Sequence, residues 1–425
     1  MPIDTSDAAI AQPAATDEMV SRPGKVTDVH LPLARQVLRK LWLKVHLYLG
    51  LIVGGLFVLI SLTGSLLVFY KAIDEWLNPE LVRSSSAGES RPLNEIVAAA
   101  YAARPERGRL ETIRLPDHPG DTVLVWYTIP THDPEEPRWI EVRIDPATAE
   151  VLSRDREWGG TLVSVIYELH ESLLIEKPGQ TIVGFLALFL LVSIGTGLYL
   201  WWPSLGRLRQ SFSFNPGRSV IRWHYDAHKL SGLYSAVILA MLAFTGVYLE
   251  FSEYVVPLVR VFSPVQELPK KGELRSRPPA PSAQALSAEQ AVALAREIFP
   301  NGELKFLAVP DNPEGIFRIG LRQPGEVRES SGQSQVWLDQ YSGAVLHLRD
   351  WRNFTAGDTF VAWLFPLHNG EAFGLAVRWI VCVSGFVPLV LYVTGLRMWW
   401  LKRRAHLRQR ARVNASAAQE RFAHD

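Results

Sequence analysis

Four stretches of this 425-residue chain contain no charged residue, and their lengths set its fold class. They are Leu47–Tyr70, Thr181–Trp202, Leu230–Leu249 and Trp379–Leu396, of 24, 22, 20 and 18 residues. A helix needs about 20 apolar residues to cross roughly 30 Å of hydrocarbon, so each stretch predicts a membrane span in contact with lipid. Pro388 predicts a kink in the fourth, which a membrane helix tolerates. The first stretch begins at residue 47 with no small-residue cleavage site, which predicts a retained helix and not a signal peptide.

Basic residues beside the spans predict the orientation. Arg22, Lys25, Arg35, Arg39, Lys40 and Lys44 precede the first span. Arg207, Arg209, Arg218, Arg222 and Lys229, against Asp226 alone, join the second to the third. Lys402, Arg403, Arg404, Arg408, Arg410 and Arg412 follow the fourth, whereas Asp74, Glu75, Glu250 and Glu253 follow the first and third. Both termini are expected in the cytoplasm of a bacterium, with the chain in the inner membrane and two soluble segments in the periplasm.

Other classes are excluded. Lys+Arg (44) balances Asp+Glu (43), so nucleic-acid binding has no electrostatic support. The single Cys382 forbids an intrachain disulfide, a CxxC site and the CxxCH of covalent haem. No P-loop or GxGxxG turn encodes a nucleotide fold.

The chain is also a duplication. KVHLYLG…SLTGSLLVF repeats as DAHKLSG…LAFTGVYLEF, pairing His46 with His228, Gly50 with Gly232 and Thr63-Gly64 with Thr245-Gly246 at an offset of 182. YELHESLL…GTGLYLWW repeats as FPLHNGEA…VTGLRMWW, pairing His170 with His368, Thr196-Gly197 with Thr394-Gly395 and Trp201-Trp202 with Trp399-Trp400 at an offset of 198. Between the spans, VRIDPATAEVL (142–152) matches VWLDQYSGAVL (336–346), each a strand–turn–strand pattern. LNEIVAAAYAA (93–103) and SAEQAVALAREIF (287–299) predict one helix ahead of each. Pro264–Pro281 reads as a linker, and 1–30 and 413–425 read as disordered.

The fold class that follows is an α-helical membrane protein, a four-helix transmembrane bundle with internal duplication and two small periplasmic α+β modules. The boundaries are a tail (1–40), the first span (41–70), the first module (71–160), a His-bearing segment with the second span (161–202), a loop (203–224), the third span (225–250), a linker with the second module (251–352), a His-bearing segment with the fourth span (353–401) and a tail (402–425).

The duplication selects four of the eleven histidines. A two-fold axis between the halves would face His46 with His228 on the cytoplasmic side and His170 with His368 on the periplasmic side. Two imidazoles facing across a bundle suit the axial ligation of a haem iron, giving two non-covalent haem b groups. Zinc would want three or four ligands. Gly50 and Gly232 lie one turn beyond His46 and His228 on the same helix face, where a porphyrin needs bare backbone. Gly64 and Gly246 lie five turns on, about 27 Å away, near the second haem; close helix packing is the alternative for all four glycines. His224 competes with His228 as ligand. His30, His118, His132, His347, His406 and His424 have no repeat partner and read as solvated. Arg378, at the start of the fourth span, can meet a haem propionate or snorkel to the interface. Lys44, Arg222 and Lys229 could serve the cytoplasmic haem, although the positive-inside pattern already accounts for them.

These residues resemble the PepSY-associated transmembrane helix family of bacterial inner-membrane proteins, over residues 40 to 402. The WLKVHLYLG opening, the LHESLL and LHNG segments, the TG…WW exits and the paired αβ modules, similar to PepSY domains, carry the likeness. The resemblance implies a haem protein of iron uptake, with some relatives acting as ferric-siderophore reductases. The expected activity is an oxidoreductase that conducts electrons across the membrane from a cytoplasmic or quinol donor to a periplasmic ferric siderophore. No catalytic side chain is assigned, because the cofactor does the redox chemistry. The rivals are a non-enzymatic PepSY regulator of a peptidase or other partner, and a small transporter, which the lack of intramembrane acids weakens.

Overall fold

The computed structural model describes residues 33–424 apart from 85, 87, 133–136, 204, 205, 207, 216, 218 and 278–282. Arg22, Lys25, His30, Arg207, Arg218 and the expected disorder of 1–30 lie outside the described residues. Residues 42–425 make up one compact unit and 1–41 another.

The first half runs α1 (Leu33–Ile52), α2 (Gly54–Leu67), α3 (Tyr70–Leu77), α4 (Pro79–Val82), α5 (Leu93–Ala102), β1 (Arg109–Arg114), β2 (Val123–Ile129), β3 (Arg138–Ile144), β4 (Val151–Glu157), α6 (Leu162–Ser172) and α7 (Glu176–Trp201). After a short α8 (Leu208–Ser211), the second half runs α9 (Val220–Glu250), α10 (Ser252–Arg260), α11 (Ala288–Ile298), β5 (Glu303–Ala308), β6 (Ile316–Arg322), β7 (Ser334–Asp339), β8 (Val345–Arg349), α12 (Ala356–Asn369), α13 (Gly374–Ser384) and α14 (Val387–His424).

Among the described residues, three segments are long and apolar enough to cross a membrane: Glu176–Trp201, Val220–Glu250 and Glu371–Ser416. The first expected span is not one straight helix. Its two arms, α1 and α2, bend by 60° and count as a fourth crossing only if taken together. The bend falls at Gly54-Gly55, where a Cβ on Gly54 would stand 2.5 Å from the Tyr392 ring, so the glycine lets α14 press against the break. In the fourth span the helix stops at Ser384 and resumes at Val387, next to Pro388, as a proline kink requires. Two ends differ from expectation. The third span begins at Val220, inside the expected loop, because Ser219 caps its first turn by accepting from the Arg222 amide. The expected disorder of 413–424 is replaced by the last turns of α14, whose Ala-, Arg-, Gln- and Glu-rich sequence favours helix.

The two α+β modules are not separate bodies. Their strands form one antiparallel eight-stranded sheet in the order β4-β3-β2-β1-β5-β6-β7-β8. The seam pairs β1 with β5 through Ile113 opposite Leu307 and Arg114 opposite Phe306. Alternation divides the sheet's faces. Ile113, Val125, Ile144, Leu307, Ile319 and Leu338 point to one side, where Ile96, Ala100, Ala291 and Val292 of α5 and α11 complete a single core spanning both halves. Arg114, Leu124, Arg143 and Arg322 alternate with them and look toward the helical bundle, joined by Lys305 at the irregularity between Leu304 and Phe306. The sheet is fastened down by buried charges: Asp74 on α3 receives Arg156 at 2.6 Å and Arg143 at 3.4 Å.

Candidate functional site

The two halves bring the four repeat histidines together as two facing pairs. The ring centres of His46 and His228 are 6.1 Å apart with planes at 89°. Those of His170 and His368 are also 6.1 Å apart, at 52°. The competitor His224 does not take this place. It lies edge-on to Trp223 at 5.0 Å, one turn before His228.

Each imidazole is gripped at Nδ1 by its own half of the chain. His46 bonds to Ser193 O and Thr196 Oγ1 on α7, both at 3.1 Å. His228 bonds to Leu391 O at 3.0 Å and Thr394 Oγ1 at 3.1 Å on α14. His170 bonds to Ile60 O at 2.9 Å and Thr63 Oγ1 at 3.2 Å on α2. His368 bonds to Thr245 Oγ1 at 2.9 Å and to the Leu242 backbone on α9. A carbonyl oxygen only accepts, so every Nδ1 carries the proton and every Nε2 keeps its lone pair. This is the tautomer a metal-bound histidine takes, with its second nitrogen tied to a carbonyl.

The spacing fits one metal per pair. Bonds of about 2 Å from a metal to each imidazole nitrogen, plus roughly 1 Å from nitrogen to ring centre on each side, separate two ring centres by roughly 6 Å. No group of three or more His, Cys, Asp or Glu able to hold a bare ion occurs among the described residues. Two protein ligands per iron is what a macrocycle supplying the other four needs.

The glycines divide. A Cβ on Gly50 would meet nothing within 4 Å and has open space, whereas one on Gly232 would stand in ordinary contact with Leu391 at 3.5 Å. Gly64 and Gly246 line the cavity at the other pair, each against an imidazole. A Cβ on Gly64 would stand 2.7 Å from His170 Cε1, and one on Gly246 3.6 Å from His368 Cε1. Gly197 and Gly395, not singled out from sequence as site residues, do the same for His46 (3.2 Å) and His228 (3.3 Å). Every Thr-Gly pair therefore seats a histidine from another helix.

The His170/His368 pair opens into a cavity of about 970 Å³. Its floor is apolar, including Phe57, Leu186, Leu190, Leu239, Leu242 and Val381. Its roof is the charged sheet face with Arg114, Arg143, Lys305 and Arg322. Arg378 lines the same cavity and reaches Glu329 at 3.9 Å. Also unanticipated, Arg328 lies 4.5 Å over the ring of Phe365, one turn before His368. The pair His46/His228 sits at the other end of the long helices, since Thr196 is 20 residues along α7, about 30 Å from its start. There Arg222 (2.9 Å) and Lys229 (3.0 Å) both pair with the fully buried Asp226. The nitrogens Trp201 Nε1 and His224 Nδ1, near this end, are buried without a hydrogen-bond partner among the described residues. Of the other histidines, His118, His132 and His406 are exposed as expected. His347 is instead half-buried against Trp337 at 4.9 Å, because β8 turns it onto the neighbouring strand.

The family model for the PepSY-associated TM region matches residues 43–402. The chain belongs to this family. The match takes in both halves, all four paired histidines and the whole sheet. No curated protein matches the chain. Membership makes this PepSY-associated protein a membrane protein, in keeping with its long apolar helices.

Proposed function

We propose that this protein is an inner-membrane conduit holding two haem b groups, which passes single electrons to a ferric chelate of the siderophore type. The observation that carries the reading is the pair of facing imidazole couples, each with Nδ1 occupied and Nε2 free at a 6.1 Å ring separation. His46 and His228 would hold one haem, and His170 and His368 the other. Bound there, haem supplies one-electron transfer between the two ends of the bundle.

The chain's own part is to bind, orient and exclude water. Hydrogen bonds to Nδ1 hold the four rings in place, and the apolar cavity floor keeps solvent from the inner faces of His170 and His368. Arg378 and the roof cations Arg114 and Lys305 would receive haem carboxylates. The sheet side is the periplasmic side in this reading, and both termini are cytoplasmic. The charged roof then admits a water-soluble acceptor to the His170/His368 end. One electron from a quinol or a cytoplasmic donor converts the bound Fe(III) to Fe(II). Hard oxygen ligands hold Fe(II) less tightly, so iron is released.

The test is the spectrum of the purified protein. A bis-imidazole haem protein shows a strong Soret band that shifts on reduction with dithionite. A colourless preparation refilled with haem without gaining that band would remove the reading and favour a regulator built on the sheet. With pigment present, adding a ferric hydroxamate and an Fe(II) chelator to reduced protein should reoxidise it. No reoxidation would exclude that acceptor.

A further inference from the structure

We propose that the four Thr-Gly dipeptides, Thr63-Gly64, Thr196-Gly197, Thr245-Gly246 and Thr394-Gly395, are the positioning residues of the histidine pairs: the threonine gives the Nδ1 proton a second acceptor beside the backbone carbonyl, and the glycine sets where the ring sits.

A helical threonine commonly returns its hydroxyl proton to its own helix, and each of these does so. Thr63 donates to Leu59 O and Ile60 O, both at 2.9 Å. Thr196 donates to Ser193 O at 3.0 Å. Thr245 donates to Met241 O (2.9 Å) and Leu242 O (3.0 Å). Thr394 donates to Val390 O (2.6 Å) and Leu391 O (3.2 Å). With its proton spent, the hydroxyl faces the neighbouring imidazole as an acceptor. It therefore accepts the Nδ1 proton and cannot offer one. The carbonyl at Ser193, Leu391 or Ile60 shares the same proton, so the ring has a two-oxygen cradle. Neutral imidazole with Nδ1–H so held is more electron-rich at Nε2.

The adjoining glycine acts on position. Cε1 lies between the two ring nitrogens, and in every pair it is the atom nearest to where the missing Cβ would be. A methyl there would press on the ring at Cε1, next to Nε2, and displace it. The clearances differ, at 2.7 Å for Gly64, 3.2 Å for Gly197, 3.3 Å for Gly395 and 3.6 Å for Gly246. Contacts under 3.0 Å force a shift, and those near 3.6 Å are ordinary van der Waals distance. The dipeptide is thus one device with two functions, used four times at the same relation to a histidine.

The proposal rests on the haem reading, and its experiment separates the two. Pigment per protein and midpoint potentials by spectroelectrochemistry are measured on the full-length protein, for Thr→Val and Thr→Ser at each position and for Gly64→Ala and Gly246→Ala. Tautomers are read from ¹⁵N-histidine shifts of haem-free protein. Thr→Val should raise the midpoint of its own pair through a roughly ten-fold loss of ferric over ferrous preference, which is about 59 mV for one electron. Thr→Ser should restore it. Gly64→Ala should lose several-fold more pigment at its pair than Gly246→Ala. In the haem-free protein the four imidazoles should carry Nδ1–H, and Thr→Val should leave that tautomer in place while shifting the Nδ1 resonance of the affected ring, which keeps one acceptor instead of two. Wild-type protein that takes up no haem sinks the haem reading while the tautomer result still stands or falls alone. Pigmented Thr→Val variants with unmoved midpoints and unmoved Nδ1 shifts, or equal losses in Gly64→Ala and Gly246→Ala, overturn the proposal.

Discussion

The two halves of the chain agree at the histidines and disagree in the backbone that carries them. Each half ties its own two imidazoles to its own two Thr-Gly pairs, with the same bonds at nearly the same lengths. Around them the halves part. α9 crosses as one 31-residue helix, while its counterpart is broken by 60° into α1 and α2. In the link after His368, left-handed backbone falls on Gly370 and Gly374. In the link after His170 it falls on Leu173, Leu174 and Glu176. In the sheet turns, Gly343 (φ 71°) is answered by Ala149 (φ 59°). A side chain costs roughly 1–2 kcal/mol in that conformation, so strain is concentrated in the first half. The difference teaches that the same Thr-Gly seat for a histidine can be kept on two unlike scaffolds, provided the few residues touching the ring are kept.

The harshest way to break the comparison is to remove a ligand. His46→Ala and His228→Ala should each cost about half the pigment by deleting one bis-imidazole site, and His170→Ala and His368→Ala the other half. Because each pair takes one histidine from each half, loss should depend on the pair and not on the half. Pigment that stays whole in all four variants would end the ligand assignment. A milder break uses the sheet turns. Gly343→Ala places a methyl 2.5 Å from Leu294 at positive φ and should lower stability by about 2 kcal/mol. Ala149→Gly relieves strain and should raise it by about 0.5–1 kcal/mol. Thermal melts in detergent would show it, and equal signs would mean that the turns are not the seat of the difference.

The smallest effect is one of agreement. Burial pushes Asp145 and Asp339 up, but bonds from Ser84 and Ala147 to the one, and from Tyr341 and Ser342 to the other, outweigh it and hold both below the ordinary 3.8. A depressed carboxyl contributes stability above its unfolded value and loses it as pH falls through the folded one. The sheet should therefore be indifferent to pH from 7 to 5 on their account and weaken below about 4. Asp145→Asn and Asp339→Asn should each flatten that acid limb and cost about 1 kcal/mol at neutral pH. An unchanged acid limb in both would remove the turn aspartates from the explanation.

Much of this molecule was legible in its sequence, because the signals were periodic or repeated. Uncharged length gave the spans, alternation gave β3, β4, β7 and β8, and constant offsets isolated four histidines from eleven. The β1–β5 seam was hidden, since alternation says which face a strand buries and not which edge it joins. The bend at Gly54 had a signal in Gly54-Gly55, but its cause, the Tyr392 ring, comes from the far end of the chain. Gly64 and Gly246 were placed beside a porphyrin by counting turns along a helix assumed straight. The bend interrupts the count between His46 and Gly64, but α9 runs unbroken from His228 to Gly246, and both glycines line the cavity at His170 and His368 with an imidazole as neighbour. The role of the threonines was missed although Thr-Gly recurs four times. A repeated dipeptide marks a landmark, and only the neighbouring helix shows what it touches.

The seam has a consequence for how the protein is made. β1 is complete long before its partner exists, because Leu307 follows Ile113 by most of a half-chain. At 5–20 residues per second, that edge stands open for roughly 10 to 40 s during synthesis. Arg109, Glu111 and Arg114 place charge along it, which discourages pairing with a stranger. The one partner they cannot discourage is the same edge on another nascent chain. β1 and β5 are equivalent strands of the duplication, so β1 against β1 of a second copy would reproduce the seam between molecules. Crowded synthesis on one messenger thus carries a built-in route to strand-exchanged dimers, which arrival of the second half must outrun.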